Sequence, residues 1–427
     1  MIRKISIRHP VYYGWWIVGV FTLTQPIAWG ILYYSLSVFI TPMSAELGWS
    51  RPEITAGLSL AILVSGVVGI PMGQWVDRHG ARWSMTTGLA AAVVLVLLWS
   101  QVQTLLAFYV VFLGIGITMS ATLYEPAFTV VANWFTRRRG AALASITFAG
   151  GLASTIFIPL SDWLLRLQGW RGAVITLAVI LAVTSIPLHL IVLRRRPADL
   201  GLLPDGDTLS DDTPAAPSRA TLSPDSLRAI VRIPIFWWMT LAFGLLYLAS
   251  DGLRFHFVSF LIDRGYDSST AAGMSGSIGV MQVAGRVLFA PLERRFAVTQ
   301  MTVGMFGIMA LALAILTVAQ GDVGVWLFVA LFGMVYGAAT LARATLIGQF
   351  FGTTRYGSVS GTMRLFLTGV NTIAPTGAAL IYSAFNDYTP LLVLLTGFAL
   401  LAMGAALRLR REAVELAASA LEPVPTG

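Results

Sequence analysis

Arg286 lies inside the apolar stretch SIGVMQVAGRVLFAPLERRF, which runs from Ser277 to Phe296. A guanidinium stays charged at any physiological pH, and a charge at the bilayer centre costs about 2.5–3.5 kcal/mol on insertion scales. Such a residue faces protein or a water-filled cavity. Its planar fork can grip a carboxylate through two parallel hydrogen bonds. Arg286 is therefore the leading candidate for holding an anion. The alternative is a side chain that snorkels toward Glu293, seven residues and roughly 10 Å away. Arg364, in GTMRLFLTGVN, is a second charge at similar depth. It is either a ligand contact or a fixed partner of a protein acid or helix carbonyls.

Other polar residues sit in apolar runs. Asp251 and Arg254, in ASDGLRFHF, are three apart and share a helical face. A buried, Arg-paired Asp is normally ionised and structural. If the pair opens, desolvation lets the Asp take up a proton. His256 follows, as a ligand contact, a proton carrier or a filled packing position. Glu125, in LYEPAF, and Arg343, in LARATL, lie at comparable depths in opposite halves of the chain. Pro126 kinks or loosens the helix beside Glu125. Gln282, one turn before Arg286, cannot titrate but can hydrogen-bond an oxygen. Tyr33, Tyr34, Tyr124 and Tyr336 offer apolar walls with hydroxyl tips, or act as interfacial anchors. Cys is absent and His numbers four. No His/Asp/Glu group has metal-ligand spacing, and no nucleophile–base set or nucleotide-binding motif stands out. An enzyme, a metal and a cofactor are therefore not expected.

The elements that position these residues are membrane spans. Of the 427 residues, 56% are hydrophobic and 11% charged, against about 25% charged in a soluble domain. Apolar runs near the roughly 20 residues of a spanning helix recur along the chain. The pattern predicts spans at about 13–41, 54–76, 83–100, 104–134, 140–164, 170–193, 234–262, 271–292, 298–319, 323–350, 358–383 and 389–408. The MIRKISIRHPVYYGWW start leads into the first span and lacks a signal-peptide cleavage site. Twenty of the 28 basic residues fall on the side that holds both termini, four on the other side and four within spans. The positive-inside rule then puts both termini in the cytoplasm. It also accounts for the net charge of +8 without nucleic acid. A Pro-, Asp- and Ser-rich stretch follows residue 194, the composition of a linker. The expected organisation is an N-terminal six-helix bundle at 1–193, a cytoplasmic linker at 194–233 and a C-terminal six-helix bundle with a short tail at 234–427. A shift of 216 residues brings NWFTRRRG onto QFFGTTRYG, Pro159 onto Pro375 and Asp77-Arg78 onto Glu293-Arg294. Two parallel halves around a midplane site are a secondary-transporter layout.

GQWVDRHGAR, after the second span, resembles the loop signature of the major facilitator superfamily, with Gly73, Asp77, Arg78 and Gly80 in place and Ala81 and Trp83 departing from it. The resemblance implies a twelve-helix all-α fold in two pseudo-symmetric bundles. It also implies that Asp77 caps a neighbouring helix and latches one conformation by pairing with Arg. A narrower similarity is to monocarboxylate porters and oxalate–formate exchangers. NWFTRRRGAALASITFAGG is similar to their helix-5 opening, with Trp134, Phe135, Arg137, Arg138, Arg139 and Ala142 matching. YYGWW is similar to their first-helix opening, without its acidic residue. That resemblance puts Arg286 at the place of a carboxylate-binding arginine and gives Arg364 a second carboxylate. It also implies a Glu125–Arg343 gate pair, because helices 4 and 10 face each other in the superfamily; separate structural pairings stay open. Where proton-coupled animal members carry Asp, this chain has Gln282, so any proton rides on Asp251, Glu125, His256 or the substrate. The expected function is alternating-access transport of a small organic anion, foremost a lactate- or pyruvate-like monocarboxylate. Transport would proceed by proton symport or anion exchange, through a monomer in the inner membrane. A dicarboxylate exchanger and a transporter-like membrane sensor are the alternatives. A drug exporter fits less well, since two cavity arginines suit cationic drugs poorly.

Overall fold

The computed structural model describes residues 11–135, 137–206, 231–318 and 321–419. All regular structure among them is helical. In order it comprises α1 (Tyr13–Trp29), a π turn (Gly30–Tyr34), α2 (Leu36–Leu47), α3 (Arg51–His79), α4 (Ala81–Trp99), α5 (Leu105–Thr122), α6 (Tyr124–Trp134), α7 (Arg139–Gly151) and α8 (Ala153–Val192). Two short 3₁₀ turns follow, at Pro197–Leu200 and Pro204–Gly206. The later helices are α9 (Pro234–Arg254), α10 (Phe257–Asp263), α11 (Ser268–Glu293), α12 (Val298–Val318), α13 (Asp322–Phe385) and α14 (Thr389–Ser419).

Ten stretches among the described residues are long and apolar enough to cross a membrane. The longest, Arg139–Val192, holds two crossings. Gly169 leaves the helical region there at φ 69°, between the spans predicted at 140–164 and 170–193. α11 has the length of a span, 26 residues, but its Ser, Gly, Gln282 and Arg286 lower its mean hydropathy and it is not among the ten. Counting both gives twelve crossings in an all-α membrane protein.

Four predicted spans differ in detail. The span at 104–134 breaks at Leu123 into α5 and α6. Pro126 has no N–H for the Thr122 carbonyl, so the helix cannot run on through that turn. The span at 234–262 is two helices, parted at Phe255 and His256. The spans at 323–350 and 358–383 join in one helical backbone run of 64 residues. GTTRYGS between them contains no proline to force a stop.

Contacts gather the chain into two compact units. Unit 1 comprises residues 1–35, 64–153 and 164–217; unit 2 comprises 36–63, 154–163 and 218–427. Unit 2 thus includes segments from both halves of the sequence. Most of the expected linker, 207–230, lies outside the described residues.

In unit 1 the two aromatic motifs pack on each other. Trp134 and Phe135 are buried, with Tyr12, Tyr13 and Trp15 against them. The Tyr12 hydroxyl donates to the Trp134 and Leu203 carbonyls, each at 3.0 Å. A Cβ on Gly14 would lie 2.5 Å from the Tyr12 ring and 2.8 Å from that of Phe135, so only glycine admits this contact. The exposed Arg137 and Arg138 donate their backbone N–H groups to the Asp205 carboxylate, at 2.7 and 3.2 Å. Gly80 turns the chain from α3 into α4 at φ 84°, a left-handed value that favours glycine. Gly73 is half-buried on α3, and the side chains of Asp77 and Arg78 lie outside the described residues.

In unit 2, α11 and α13 meet backbone to backbone. A Cβ on Gly285 would lie 2.0 Å from the Met334 carbonyl oxygen, and one on Gly337 2.0 Å from that of Gln282. Small residues allow this approach between membrane helices. The contact fixes the turn that carries Gln282 and Arg286.

Candidate functional site

At the end of α9 the chain buries an ion pair. Arg254 lies 3.0 Å from the Asp251 carboxylate, and the two are 5% and 1% exposed. Their spacing puts both on one face, and the last helical turn favours the cation. The Tyr336 hydroxyl donates to Asp251 Oδ1 at 3.2 Å, while the Arg254 guanidinium stands 4.6 Å from the centre of the Tyr336 ring. Arg343, half-buried two helix turns further along α13 than Tyr336, lies 5.7 Å from the Tyr247 ring. Unit 2 therefore brings Asp251, Arg254 and Tyr336 into one cluster with Arg343 beside it.

His256 points elsewhere. Its Nε2 lies 2.9 Å from the Pro375 carbonyl. Because that oxygen only accepts, Nε2 carries the proton. The bond ties the α9–α10 break to α13. Gln282 is 3% exposed, and its Nε2 has no hydrogen-bond partner among the described residues. Arg286, one turn on, is half-buried, and Arg364 on α13 is exposed.

Unit 1 holds the remaining candidates. Trp29 packs against Tyr33 and Tyr124, with ring centres 5.1 Å apart in both pairs, and Tyr33 meets Tyr34 at 5.2 Å. Tyr33 and Tyr34 close the π turn, where Ser35 N–H reaches back to the Gly30 carbonyl at 2.9 Å. Such wide turns recur at functional sites. Glu125 sits half-buried in the first turn of α6, where the helix dipole favours an anion. Glu125 belongs to unit 1 and Arg343 to unit 2.

Sequence reasoning missed a clasp in unit 2. Arg51 at the start of α3 grips Asp263 at the end of α10 through two bonds, at 2.8 and 2.9 Å. The same guanidinium donates to the Tyr388 hydroxyl at 3.0 Å and lies 4.4 Å from the Tyr382 ring centre. The Ser59 and Thr376 hydroxyls meet at 2.8 Å, and those of Thr41 and Ser259 at 3.4 Å. The available signal was the rarity of Arg51, one of four basic residues on the side away from the termini. Its acid is 212 positions away, and no local pattern links them. Gln25 and Trp29 were missed as well; Pro126 was their signal.

Residues 21–375 match the sequence profile of the Major Facilitator Superfamily. The chain belongs to this superfamily. Among its relatives in sequence is monocarboxylate transporter 13 of Bos taurus, 25% identical over 353 residues, covering 80% of this chain and 76% of that protein. Another is the probable L-galactonate transporter of Escherichia coli (strain K12), 27% identical over 211 residues, 49% of this chain and 46% of that one. In fold, this facilitator is similar to a bacterial homologue of the human lysosomal transporter Spinster, solved inward-facing and unoccupied. The TM-score is 0.76 at 14% identity, with 93% and 97% of the two chains covered. Family and neighbours alike are transporters and not enzymes.

Proposed function

We propose that this facilitator carries a small organic anion, foremost a monocarboxylate, across the inner membrane by alternating access, with both termini in the cytoplasm. The observation that carries the reading is Arg286. It is a permanent charge on a spanning helix, held one turn beyond the buried amide of Gln282, on a segment clamped to α13 through Gly285 and Gly337. In this reading Arg286 grips the carboxylate, and Gln282 donates to it. Tyr33, Tyr34, Tyr124 and Tyr336 are the candidate wall residues, while His256, buried against the Pro375 carbonyl, takes the packing role. The similarity to proteins named monocarboxylate transporters supports the substrate class.

Gating falls to three sets of residues. The Arg51–Asp263 clasp closes the end away from the termini. Glu125 and Arg343 act as gate residues, each within its own unit, and Asp77 and Arg78 act at the cytoplasmic loop. Asp251, paired to Arg254, is the coupling acid if a proton travels with the anion. The exposed position of Arg364 keeps a second carboxylate contact, and with it a dicarboxylate exchanger, as the other reading.

Uptake of labelled lactate, pyruvate, formate and oxalate into proteoliposomes, with and without a pH gradient, tests the proposal. Arg286→Lys keeps the charge and loses the fork, so uptake should fall at least tenfold. Near-normal uptake by that variant rules out the bidentate grip. A chain that moves no solute at all reverts to a transporter-like sensor.

A further inference from the structure

Gln25 and Trp29 stand four residues apart on α1 and share a face. Gln25 is 1% exposed, and its Nε2 donates to the Thr122 carbonyl at 2.8 Å. That carbonyl is open to an outside donor because Pro126, four residues later, has no N–H. A carbonyl only accepts, so it fixes which end of the amide meets it. Oε1 is the end left over. It is buried, with no hydrogen-bond partner among the described residues. One turn on, the buried indole Nε1 of Trp29 is in the same condition. Its ring is held by Tyr33 and Tyr124, and the π turn begins at the next residue.

Buried polar atoms in native proteins are normally bonded, and each exception needs an explanation. Here the two exceptions are opposite in kind, an acceptor and a donor, one helical turn apart on α1 just before the π turn. A carboxylate or a keto oxygen only accepts, and an alkyl chain does neither. A hydroxyl both accepts and donates.

We propose that Trp29 and Gln25 read a hydroxyl group on the carried anion, so that this facilitator selects 2-hydroxy monocarboxylates. The inference rests on the monocarboxylate reading above and adds a selectivity which that reading does not contain. Lactate meets both atoms. Pyruvate accepts from Trp29 but offers Gln25 nothing, and propionate meets neither. The three are close in size and carry the same charge, so steric fit and the guanidinium grip do not rank them.

The test uses the purified full chain in proteoliposomes, with competition against labelled lactate. Inhibition constants should rise from lactate to pyruvate to propionate by about three- to tenfold per step, the worth of one net hydrogen bond. Trp29→Phe keeps a ring and removes the N–H. It should weaken lactate and pyruvate by that factor and leave propionate unchanged. Equal affinity for all three in the wild type overturns the inference. So does a Trp29→Phe variant that shifts all three alike, the mark of a packing role or an enclosed water. If Trp29→Phe does not fold, judged by its gel-filtration profile, the wild-type ranking decides alone. A wild type that moves no monocarboxylate but does move another solute removes the underlying reading and this inference with it. One that moves lactate and propionate equally removes the inference only.

Discussion

Removing Arg51 should open the end of unit 2 that it clasps. Exposed ion pairs contribute about 0.2–1 kcal/mol, and losing one partner of a buried pair costs about 3–5 kcal/mol. The Arg51 and Asp263 side chains are 16% and 30% exposed, which places this two-bond pair between those limits, at about 1–2 kcal/mol. The Tyr382 ring at 4.4 Å adds a cation–π contact of about 0.5–1 kcal/mol. A clasp worth about 1.5–3 kcal/mol in one state only shifts the balance of states by roughly 10- to 150-fold on Arg51→Ala. Because the chain contains no Cys, a single Ser59→Cys gives a clean reporter. Ser59 is buried against Thr376. Its labelling by a membrane-impermeant maleimide should accelerate by about that factor, provided opening and closing are fast compared with labelling. In an Asp263→Asn background the same Arg51→Ala change should do much less, since the partner is already gone. Labelling within twofold of the parent, or equal effects in the two backgrounds, would refute the clasp.

Two further outcomes follow from the helix contacts. Gly337→Ala drives a methyl into the Gln282 carbonyl, where only backbone can yield. It should cost about 1–3 kcal/mol or more, seen as a lower melting temperature in detergent, whereas Gly304→Ala, with open space around it, should be neutral. Asp267 caps α11, accepting N–H bonds from Ser269 and Thr270 at 3.0 Å. The bonds from Thr270 and Ser269 hold its carboxyl below the usual range. A depressed folded value means that the cap stabilises at pH above the unfolded pKa, about 3.9, and that this is lost as pH falls through the folded value. Asp267→Ala should therefore lower the melting temperature at pH 7, and the gap to wild type should close under acid.

The fold was legible because the solvent sets it. A bilayer requires about 20 apolar residues per crossing and satisfied backbone groups throughout, and both demands are written locally. What stayed hidden was either too fine for hydropathy or too distant in sequence. Nothing in ASDGLRFHF announces that the helix ends at Arg254 and resumes at Phe257. The three-residue spacing of Asp251 and Arg254 did reveal their shared face, because that contact is local. Trp134 and Phe135 were legible as a motif, but their packing against Tyr12 and Gly14 needed the fold. Arg51 falls between the first two predicted spans, and only the fold brings Asp263 and Tyr388 to it. Nothing next to Gln25 in sequence singles it out, since its partner exists only because Pro126 freed a carbonyl on another helix.

Two ion pairs of unit 2, Asp251–Arg254 and Arg51–Asp263, differ in what motion does to them. Asp251 and Arg254 lie within one helical turn. If α9 moves as a rigid body they move together, so their attraction is the same in every state and favours none. Only their outside contacts, such as Tyr336 on α13, can change with state. Arg51 and Asp263 sit on helices that the chain joins through a span of 212 residues. Any separation of α3 from α10 breaks both bonds at once, and the whole interaction counts toward the difference between states. A ligand or a contact shifts an equilibrium only by what it contributes unequally to the two sides. Asp251 can therefore tune transport only through protonation or a change of partner, while Arg51 acts through distance alone. A pH gradient should act on the first pair, and a charge reversal on the second.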